Sequence, residues 1–366
     1  MKIGINARTF SVSEPDGEVQ SAIKLVSTMI ERFGHEHEFV IFGHRKLKLK
    51  NLFRFNLYLD SKFYFINSQT WGLAWEQILP LLAKKHKIDV LLSPTSNGPM
   101  FIPKSFNFKN VVWIHDVNQF YKGYSSTIYK IFSSIRCPMI AKCADIIITV
   151  SEFSKKEISK YLHVPESKIK VVYNGIDDLF ISDNPGKTLE LPEKYILYVG
   201  TSHPRKNLHR LIQAYSKIKD HIEEKLVIIG PKPRRVFSEI NLNKYRSEDI
   251  IVKGFVSPEE LKYAYQNASV FVYPSLYEGF GLPPLEALAC GTPVVVSKIP
   301  PFLEVLGDFA HYVDPYNIDD IAQGIIKVLQ ESFSQRKVNN GKQYARQFTW
   351  EKTSKAIEKI LYEVTE

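Results

Sequence analysis

Short apolar runs alternate with longer helical patterns along the whole of this 366-residue chain. The spacing predicts strands over residues 2–6, 38–43, 88–93, 111–115, 146–150 and 169–172 in the first half, and over 195–199, 225–229, 250–253, 269–273 and 293–297 in the second. Repeated strand–helix alternation is typical of parallel sheets covered by helices. We therefore predict an α/β fold with two Rossmann-like, doubly wound parallel-sheet domains.

Helices are predicted between these strands, over residues 19–33, 73–86, 126–143 and 154–162. A further helix start is marked by Ser257-Pro258-Glu259-Glu260, which combines a capping box with proline at the first helical position. That helix should extend to about residue 267.

Two domains are also expected from the length, because 366 residues exceed what one hydrophobic core usually accommodates. The segment 177–193 is rich in Asp, Pro, Gly and Lys and has no periodicity, which favours an interdomain linker. We assign residues 1–180 and 181–345 to the two domains, and residues 346–366 to an amphipathic C-terminal helix. Ligands of open α/β sheets bind beyond the carboxyl ends of strands, so residues that follow strands are the first candidates for a site.

The composition indicates a globular protein, with 44% hydrophobic and 24% charged residues. Cys137, Cys143 and Cys290 lack the paired spacing of a zinc site or a disulfide framework, which fits a reducing cytosol. The first residues favour a strand over a signal peptide, and charges interrupt the apolar stretch 131–150 before it could span a membrane. We expect a cytoplasmic protein.

The formal charge of +9 predicts a surface that attracts anions, whether nucleic acid, anionic lipid or phosphorylated substrates. Basic and apolar residues interleave over residues 44–55. This run could be a solvated edge whose charges prevent aggregation, or a contact with a membrane surface. No helix-turn-helix, zinc-finger or RNA-recognition signature is present, so a nucleic-acid partner is not expected.

Two carboxylates, Glu278 and Glu286, flank a glycine-containing loop that runs into a helix start. Glycine lets backbone N–H groups approach a ligand, and a helix N-terminus favours phosphate or sugar hydroxyls. Each acid alone could be a solvated loop residue or a complement to the helix dipole. The pair, with apolar residues between, favours a ligand pocket that includes Gly279, Phe280, Gly281 and Leu282.

A second candidate follows the strand 195–199, where Gly200 and Thr201 lead to Arg205 and Lys206 at a helix start. Arginine can bind phosphate oxygens bidentately and lysine adds a compact charge, so this turn suits a diphosphate. The chain has no Walker-type motif and no Asp-x-Asp pair. We therefore expect fixed cations, and no metal ion, to neutralise a diphosphate.

Two weaker candidates lie in the first half. His115 comes at the carboxyl end of the strand 111–115, where a residue of the binding site would fall, although a lone histidine is more often structural. Gly17 precedes the first helix and could let the backbone approach phosphate, and an ordinary turn explains it equally well.

Taken together, the Glu-x7-Glu loop, the Pro-Arg-Lys-Asn turn and the His-Asp strand end resemble retaining glycosyltransferase family 4, of the GT-B fold. The likeness covers nearly the whole chain and extends to residues 150–154, 173–177 and 254–257. The family's pattern implies two domains facing each other across a cleft, with the C-terminal helix crossing back to the first domain.

The resemblance also implies roles. Arg205 and Lys206 would hold the donor diphosphate, Glu278 the sugar hydroxyls and Glu286 the ribose. His115 would contact the transferred sugar, and the backbone of Gly254, Phe255 and Val256 the base. Many family members carry Gly-Gly where this chain has Asp16-Gly17, so only Gly17 remains for that phosphate contact, and many carry arginine where Thr201 stands.

The implied activity is metal-independent transfer of a hexosyl group, with retention, from a nucleotide diphosphate sugar to a glycan or polyprenyl-diphosphate-linked acceptor. The Pro-Arg-Lys-Asn turn resembles that of bacterial surface-polysaccharide mannosyltransferases, which favours GDP-mannose. No cofactor is expected, and contact with the anionic inner membrane would be peripheral. The alternatives are a phosphorylase or nucleotide-sugar epimerase of the same fold and, less favoured, a basic nucleic-acid-binding protein.

Overall fold

The computed structural model describes residues 1–11, 17–43, 57–59, 68–121, 123–124, 126–230, 247–330 and 335–366. The chain divides into two compact units. Unit 1 comprises Met1–Gly175 and Trp350–Glu366, and unit 2 comprises Ile176–Thr349. The chain thus leaves unit 1 after Gly175 and returns to it at Trp350.

Each unit is built around one parallel sheet. The sheet of unit 1 has seven strands in the order β3-β2-β1-β4-β5-β6-β7, and that of unit 2 has six in the order β10-β9-β8-β11-β12-β13. In chain order the strands are β1 (Lys2–Asn6), β2 (Glu38–Gly43), β3 (Leu57–Leu59), β4 (Val90–Ser93), β5 (Lys109–Trp113), β6 (Ile146–Thr149), β7 (Ile169–Val171), β8 (Tyr195–Val199), β9 (Lys225–Ile229), β10 (Ile250–Lys253), β11 (Val270–Tyr273), β12 (Val294–Ser297) and β13 (His311–Val313). Neighbouring strands pair in parallel in both sheets, so their carboxyl ends lie along one edge of each sheet.

Helices connect the strands. They are α1 (Gly17–Phe33), α2 (Ser68–Lys85), α3 (Thr127–Cys143), α4 (Glu152–Leu162), α5 (Asp178–Ile181), α6 (Leu208–Ile218), α7 (Pro258–Asn267), α8 (Leu282–Ala289), α9 (Pro300–Leu306), α10 (Ile318–Gln330), α11 (Gln335–Ala345) and α12 (Trp350–Thr365). Helix α7 begins at the predicted capping box, in which Ser257 and Glu260 bond each other's backbone N–H groups. Among the described helices, none is long and apolar enough to cross a lipid bilayer.

All eleven predicted strands are present, and the predicted α/β fold class is confirmed. The two strands that the prediction missed, β3 and β13, have three residues each and lie at the sheet edges, where pairing on one side suffices. Strand β5 begins and ends two residues earlier than predicted, so His115 lies beyond the strand. The interleaved basic run 44–55 lies outside the described residues.

The segment predicted as a linker, residues 177–193, instead packs within unit 2. It contains α5, whose Phe180 is buried, and it lies against α7. There the fully buried Lys262 donates from Nζ to the backbone oxygen and the hydroxyl of Ser182, at 2.9 and 2.8 Å. A Cβ atom added to Gly186 would lie 2.3 Å from the backbone nitrogen of Tyr263. A segment without sequence periodicity can therefore still be fixed by long-range contacts.

Candidate functional site

The turn after β8 carries two adjacent cations at the carboxyl edge of the unit 2 sheet. Pro204–Lys206 form one turn of 3-10 helix, and Asn207 follows in a left-handed conformation before α6 begins. The buried side-chain amide of Asn207 donates to the backbone oxygens of Pro274 and Pro315, at 2.9 and 2.7 Å. This amide joins the turn to the ends of two other strands, and the sequence prediction did not recognise its role.

Both cations of the turn contact Glu278, which follows β11. Arg205 Nη1 lies 2.9 Å from Glu278 Oε2, and Lys206 Nζ lies 2.6 Å from Glu278 Oε1. The Arg205 guanidinium also donates to the backbone oxygen of Tyr277 at 3.2 Å, and the Arg205 backbone oxygen accepts from the Leu276 N–H at 2.7 Å. The structure therefore unites the two motifs that the sequence predicted separately, and we call Arg205, Lys206 and Glu278 the charge cluster.

The charge cluster keeps Glu278 ionised. The residue is only 7% exposed, and burial by itself raises the pKa of a carboxyl group. Here Lys206 and Arg205 outweigh burial and lower the pKa of Glu278 to about 2. The cluster holds two positive charges and one negative, so it carries a net positive charge at neutral pH. A buried site of this kind is suited to an anionic ligand that also has hydroxyl groups.

Tyr273, the last residue of β11, positions Lys206. Its hydroxyl accepts a hydrogen bond from Lys206 Nζ at 2.5 Å, and Nζ lies 5.0 Å from the ring centroid. Burial, followed by the nearby charge of Glu278, raises the pKa of the Tyr273 hydroxyl, so the phenol stays neutral. The prediction did not recognise this tyrosine, although its place at the end of a strand beside the glutamate loop was a signal that could have identified it.

The loop after Glu278 requires glycine at position 281. Its φ is +104°, and an added Cβ would lie 2.5 Å from a ring carbon of the buried Phe302. Phe280 is buried and packs edge-on against Phe348, with ring centroids 6.1 Å apart. Leu282 is the first residue of α8, and Gly279 does not adopt a positive φ. The apolar residues of this loop therefore hold the start of α8 in place.

The second predicted carboxylate, Glu286, lies on α8 in a different environment. Its Oε2 accepts a hydrogen bond from the Tyr265 hydroxyl at 3.1 Å. Burial is the largest effect and raises the pKa of Glu286 to about 7, while the bond from Tyr265 acts in the opposite direction. The two glutamates therefore differ at neutral pH, since Glu278 is ionised and Glu286 is near its midpoint.

Glycines follow three neighbouring strands at the same sheet edge. Gly200 follows β8, Gly230 follows β9 and Gly254 follows β10. The Gly200 N–H donates to the Ile229 oxygen at 2.9 Å, and a Cβ added to Gly230 would lie 2.0 Å from the Gly200 oxygen. The prediction included Gly200 and Gly254 but missed Gly230, whose signal was again a glycine directly after a strand. This close backbone approach leaves no room for a side chain at residue 230.

The other residues predicted for this edge are more exposed. Thr201 is exposed, and its backbone oxygen accepts from the Tyr198 hydroxyl at 3.0 Å. Gly254 is exposed, and nothing lies within 4 Å of an added Cβ. Phe255 is largely exposed and Val256 partly buried. The edge thus leaves backbone and one aromatic side chain accessible beside the glycines.

Two predicted site residues belong to unit 1. His115 is partly buried, and its ring stacks on that of Trp113 with centroids 4.8 Å apart and planes 9° apart. Gly17 is exposed at the start of α1, and an added Cβ would meet no atom within 4 Å. In the part of the chain that the structure describes, no group of three or more His, Cys, Asp or Glu side chains is placed to hold a metal ion.

Comparison with known proteins gives matches over both units. Residues 17–178 match the family profile described as "Glycosyltransferase Family 4", and residues 182–348 match the profile described as "Glycosyl transferases group 1". The chain is 36% identical over 220 residues to O-antigen chain mannosyltransferase B of Escherichia coli, a stretch that covers 57% of this chain and 58% of that protein. It is 35% identical over 206 residues to O-antigen chain mannosyltransferase RfbU of Salmonella typhimurium, with 56% of each protein covered. The matches span a little over half the length of these curated relatives.

Solved structures resemble the chain over nearly its whole length. A sucrose-phosphate synthase from Thermosynechococcus elongatus superposes with a TM-score of 0.76 at 18% identity, covering 99% of this chain and 98% of that one. Anabaena Alr3699/HepE, solved in complex with UDP, superposes with a TM-score of 0.73 at 15% identity, covering 99% of both chains. At these identities the likeness shows the shared fold.

Proposed function

The chain belongs to the glycosyltransferases of the GT-B fold, and on that premise we propose that it transfers a hexosyl group from a nucleotide diphosphate sugar to a hydroxyl of a glycan or lipid-linked acceptor. The observation that carries this proposal is the charge cluster, in which Arg205 and Lys206 meet Glu278 at the carboxyl edge of a parallel sheet. The cytoplasmic location that the composition favours is part of the same proposal.

Each member of the charge cluster has a role in this reaction. Negative charge develops on the diphosphate as the bond from the sugar anomeric carbon to the phosphate oxygen breaks. Arg205 and Lys206 offer two fixed cations to that charge, and one well-placed donor contributes about 3 kcal/mol to such a transition state. Glu278 stays ionised at neutral pH and so can accept hydrogen bonds from sugar hydroxyls.

The reaction is proposed to retain the anomeric configuration and to need no metal ion. The acceptor hydroxyl forms its bond to the anomeric carbon on the face from which the diphosphate leaves, and its proton passes to the leaving phosphate oxygen. No protein nucleophile takes part in this scheme. The two cations supply the charge that a divalent ion would otherwise provide, and His115 is proposed to contact the transferred sugar.

GDP-mannose is the proposed donor, and a surface polysaccharide the proposed product. The support is the similarity to two O-antigen chain mannosyltransferases, each matched over a little more than half its length. A uridine nucleotide is the main competitor, because a protein of the same fold was solved with UDP. Glu286 and the glycines after β8, β9 and β10 are proposed to contact the nucleoside.

A thermal-shift comparison of donors tests the proposal. The purified chain is heated with GDP-mannose, UDP-glucose, UDP-N-acetylgalactosamine and a dTDP-sugar, each with and without EDTA. The true donor stabilises the fold by mass action, by about 2.7 kcal/mol at one hundred times its dissociation constant. We expect GDP-mannose to give the largest shift and EDTA to leave that shift unchanged.

The outcomes separate the parts of the proposal. A larger shift with a UDP-sugar would replace the donor and keep the activity. A shift abolished by EDTA would overturn metal independence. If no nucleotide sugar shifted the melting temperature, or if Lys206→Met gave the same shift as wild type, the donor site would be wrong. The anomeric configuration of the product, determined by NMR, decides whether the reaction proceeds with retention. Formation of a sugar phosphate when inorganic phosphate is supplied as a substrate would identify a phosphorylase.

A further inference from the structure

Helix α3 is apolar on two opposite faces. One face, formed by Ser133, Cys137, Ile140 and Ala141, is buried against the sheet of unit 1. On the other side Ile128, Ile131, Phe132, Ile135 and Met139 are between 39% and 83% exposed. Their spacing places these five residues on one side of the helix, about 180° from the buried face. We call these five residues the outer stripe.

An outer stripe of this kind is unusual for a surface helix. A helix that covers a sheet normally carries charged and polar residues on its outward face. The outer stripe instead places three isoleucines, a phenylalanine and a methionine within 12 residues, roughly 17 Å of helix at the usual rise. Contiguous exposed apolar surface of this extent marks a protein or membrane contact.

The charges around the outer stripe are mostly positive. Helix α3 contains Lys130, Arg136 and Lys142 and no Asp or Glu. Arg136 is bonded to the buried Glu76, and the spacing places Lys130 on the side of the helix opposite the stripe. Lys142, near the end of the helix, lies on the side of the stripe. Lys142 is exposed, and the largely exposed Phe101 precedes Ile102, which lies near Cys143 at the end of α3. The C-terminal end of the stripe therefore has a lysine beside it.

The elements beside α3 add further charges. Helix α4 packs against α3 and exposes Lys156 and Lys160. Its acids are Glu152, which is exposed beside Lys155, and Glu157, which accepts a hydrogen bond from Tyr121. On the other flank Glu18 lies near Tyr129, and it accepts a hydrogen bond from the Ser96 backbone. The surroundings are therefore mixed but have an excess of positive charge.

We propose that the outer stripe of α3 lies on the surface of an anionic lipid bilayer. Apolar side chains on one face of a helix, with lysines at its margins, are the arrangement by which helices bind at the boundary of headgroups and acyl chains. A second copy of this chain fits less well, because a two-fold contact brings each patch against itself and would bring the two sets of surrounding lysines together.

The place of α3 in the fold suits this contact to an enzyme with a lipid-linked acceptor. This argument rests on the proposed function. The chain leaves the carboxyl end of β5, passes His115, and enters α3 at Thr127. The first turn of α3, which carries Ile128, therefore starts from the sheet edge at which His115 is placed. A lipid-linked acceptor held in the same bilayer would present its hydroxyl near that edge.

Vesicle flotation tests the proposal without requiring activity. The whole chain is mixed with vesicles of phosphatidylethanolamine and phosphatidylglycerol, or of phosphatidylcholine alone. Wild type should float with the anionic vesicles, and high salt should weaken that binding. Ile128→Asp with Ile135→Asp should lower the bound fraction at least about tenfold, since it removes two apolar contacts and adds two negative charges. Leu81→Asp, at an exposed leucine of α2, is the matched control and should bind as wild type does.

Three results would overturn the proposal. These are no flotation of wild type with anionic vesicles, equal flotation of the double variant, and a wild-type dimer in light scattering that the double variant converts to monomer. The thermal shift with nucleotide sugars, measured without vesicles, is unaffected by this surface. A double variant that keeps the donor shift but does not float supports the proposal, and a chain that floats without any donor shift would instead contradict the proposed function.

Discussion

Replacing Lys206 by methionine tests the charge cluster most directly. Methionine keeps most of the length of the side chain but removes the charge and the hydrogen bonds to Glu278 and Tyr273, at 2.6 and 2.5 Å. Arg205 remains 2.9 Å from the carboxylate, so Glu278 keeps one counter-charge. The variant should fold, be less stable than wild type and lose most of its turnover.

The magnitudes follow from burial. A hydrogen bond between charged groups contributes about 1.5–3 kcal/mol, and the Glu278 carboxylate is too buried for water to replace the lost partner. A loss of about 2 kcal/mol corresponds to a melting temperature lower by about 4–8 °C for a unit of this size. Turnover should fall at least about a hundredfold, because the missing cation also faces the leaving diphosphate.

The pH dependence gives a second, independent readout. In wild type the pKa of Glu278 is lowered to about 2, against an ordinary value of 4.5. A lowered pKa contributes stability that is present above the unfolded pKa and is lost as the pH falls through the folded value. Without Lys206 this pKa rises, so the difference in stability between wild type and variant should be greatest above about pH 5 and should shrink toward pH 2.

The control is Lys217→Met, in the same unit. Lys217 also pairs with a carboxylate, Asp319, at 2.5 Å, but both side chains are more than half exposed. Such a pair contributes less than about 1 kcal/mol, so this variant should melt and turn over as wild type does. Differential scanning fluorimetry from pH 3 to pH 8 and a donor-turnover assay measure both variants. Wild-type turnover in Lys206→Met, or equal melting temperatures of the two variants at pH 7, would refute the reasoning.

Three further predictions concern single side chains. Burial raises the pKa of Glu286 to about 7 from 4.5, so the folded state should lose stability as the pH rises between these two values. Glu286→Gln should therefore have a higher melting temperature than wild type above pH 7, but not at pH 4.5. Gly281→Ala should cost about 2–3 kcal/mol in a urea titration, because the added methyl meets a ring carbon at 2.5 Å with φ at +104°, whereas Gly17→Ala should stay within about 0.5 kcal/mol. Arg136→Met leaves the fully buried Glu76 with one cation, Arg8, whose Nη1 lies 3.5 Å from Oε1, and should cost about 3–5 kcal/mol. Failure of a second change, Glu76→Leu, to recover part of that loss would contradict the assignment.

Local patterns predicted the fold well where strands are buried on both faces. Strands β1, β2, β8 and β9 have the predicted bounds, because each is mostly a buried apolar run bounded by polar residues or glycine. The edge strand β10 also has the predicted bounds, although most of it is only partly buried. Two of the three edge strands with three residues, β3 and β13, were missed, since their pairing is decided by a neighbouring strand and leaves little trace in the sequence. The segment 177–193 was misassigned for the related reason that its buried contacts come from α7.

Much of the candidate site could also be predicted from the sequence. Arg205 and Lys206 at a strand-to-helix turn, and Glu278 before a glycine loop, were predicted from residue type and position. The supporting residues Asn207, Tyr273 and Gly230 were missed. Their importance depends on partners in distant parts of the chain, such as the backbone oxygens of two prolines or of another glycine.

The sequence by itself determined that the chain forms two parallel α/β sheets and that cations and carboxylates follow their strands, because periodicity, capping residues and glycines act over a few neighbouring positions. Only the tertiary structure decided that Glu278 lies between Arg205 and Lys206, more than seventy residues away in the chain. It also decided that the pKa of Glu278 is lowered and that of Glu286 raised. Two glutamates in one motif acquire opposite shifts because a pKa is set by the charges and burial that folding brings to each carboxylate.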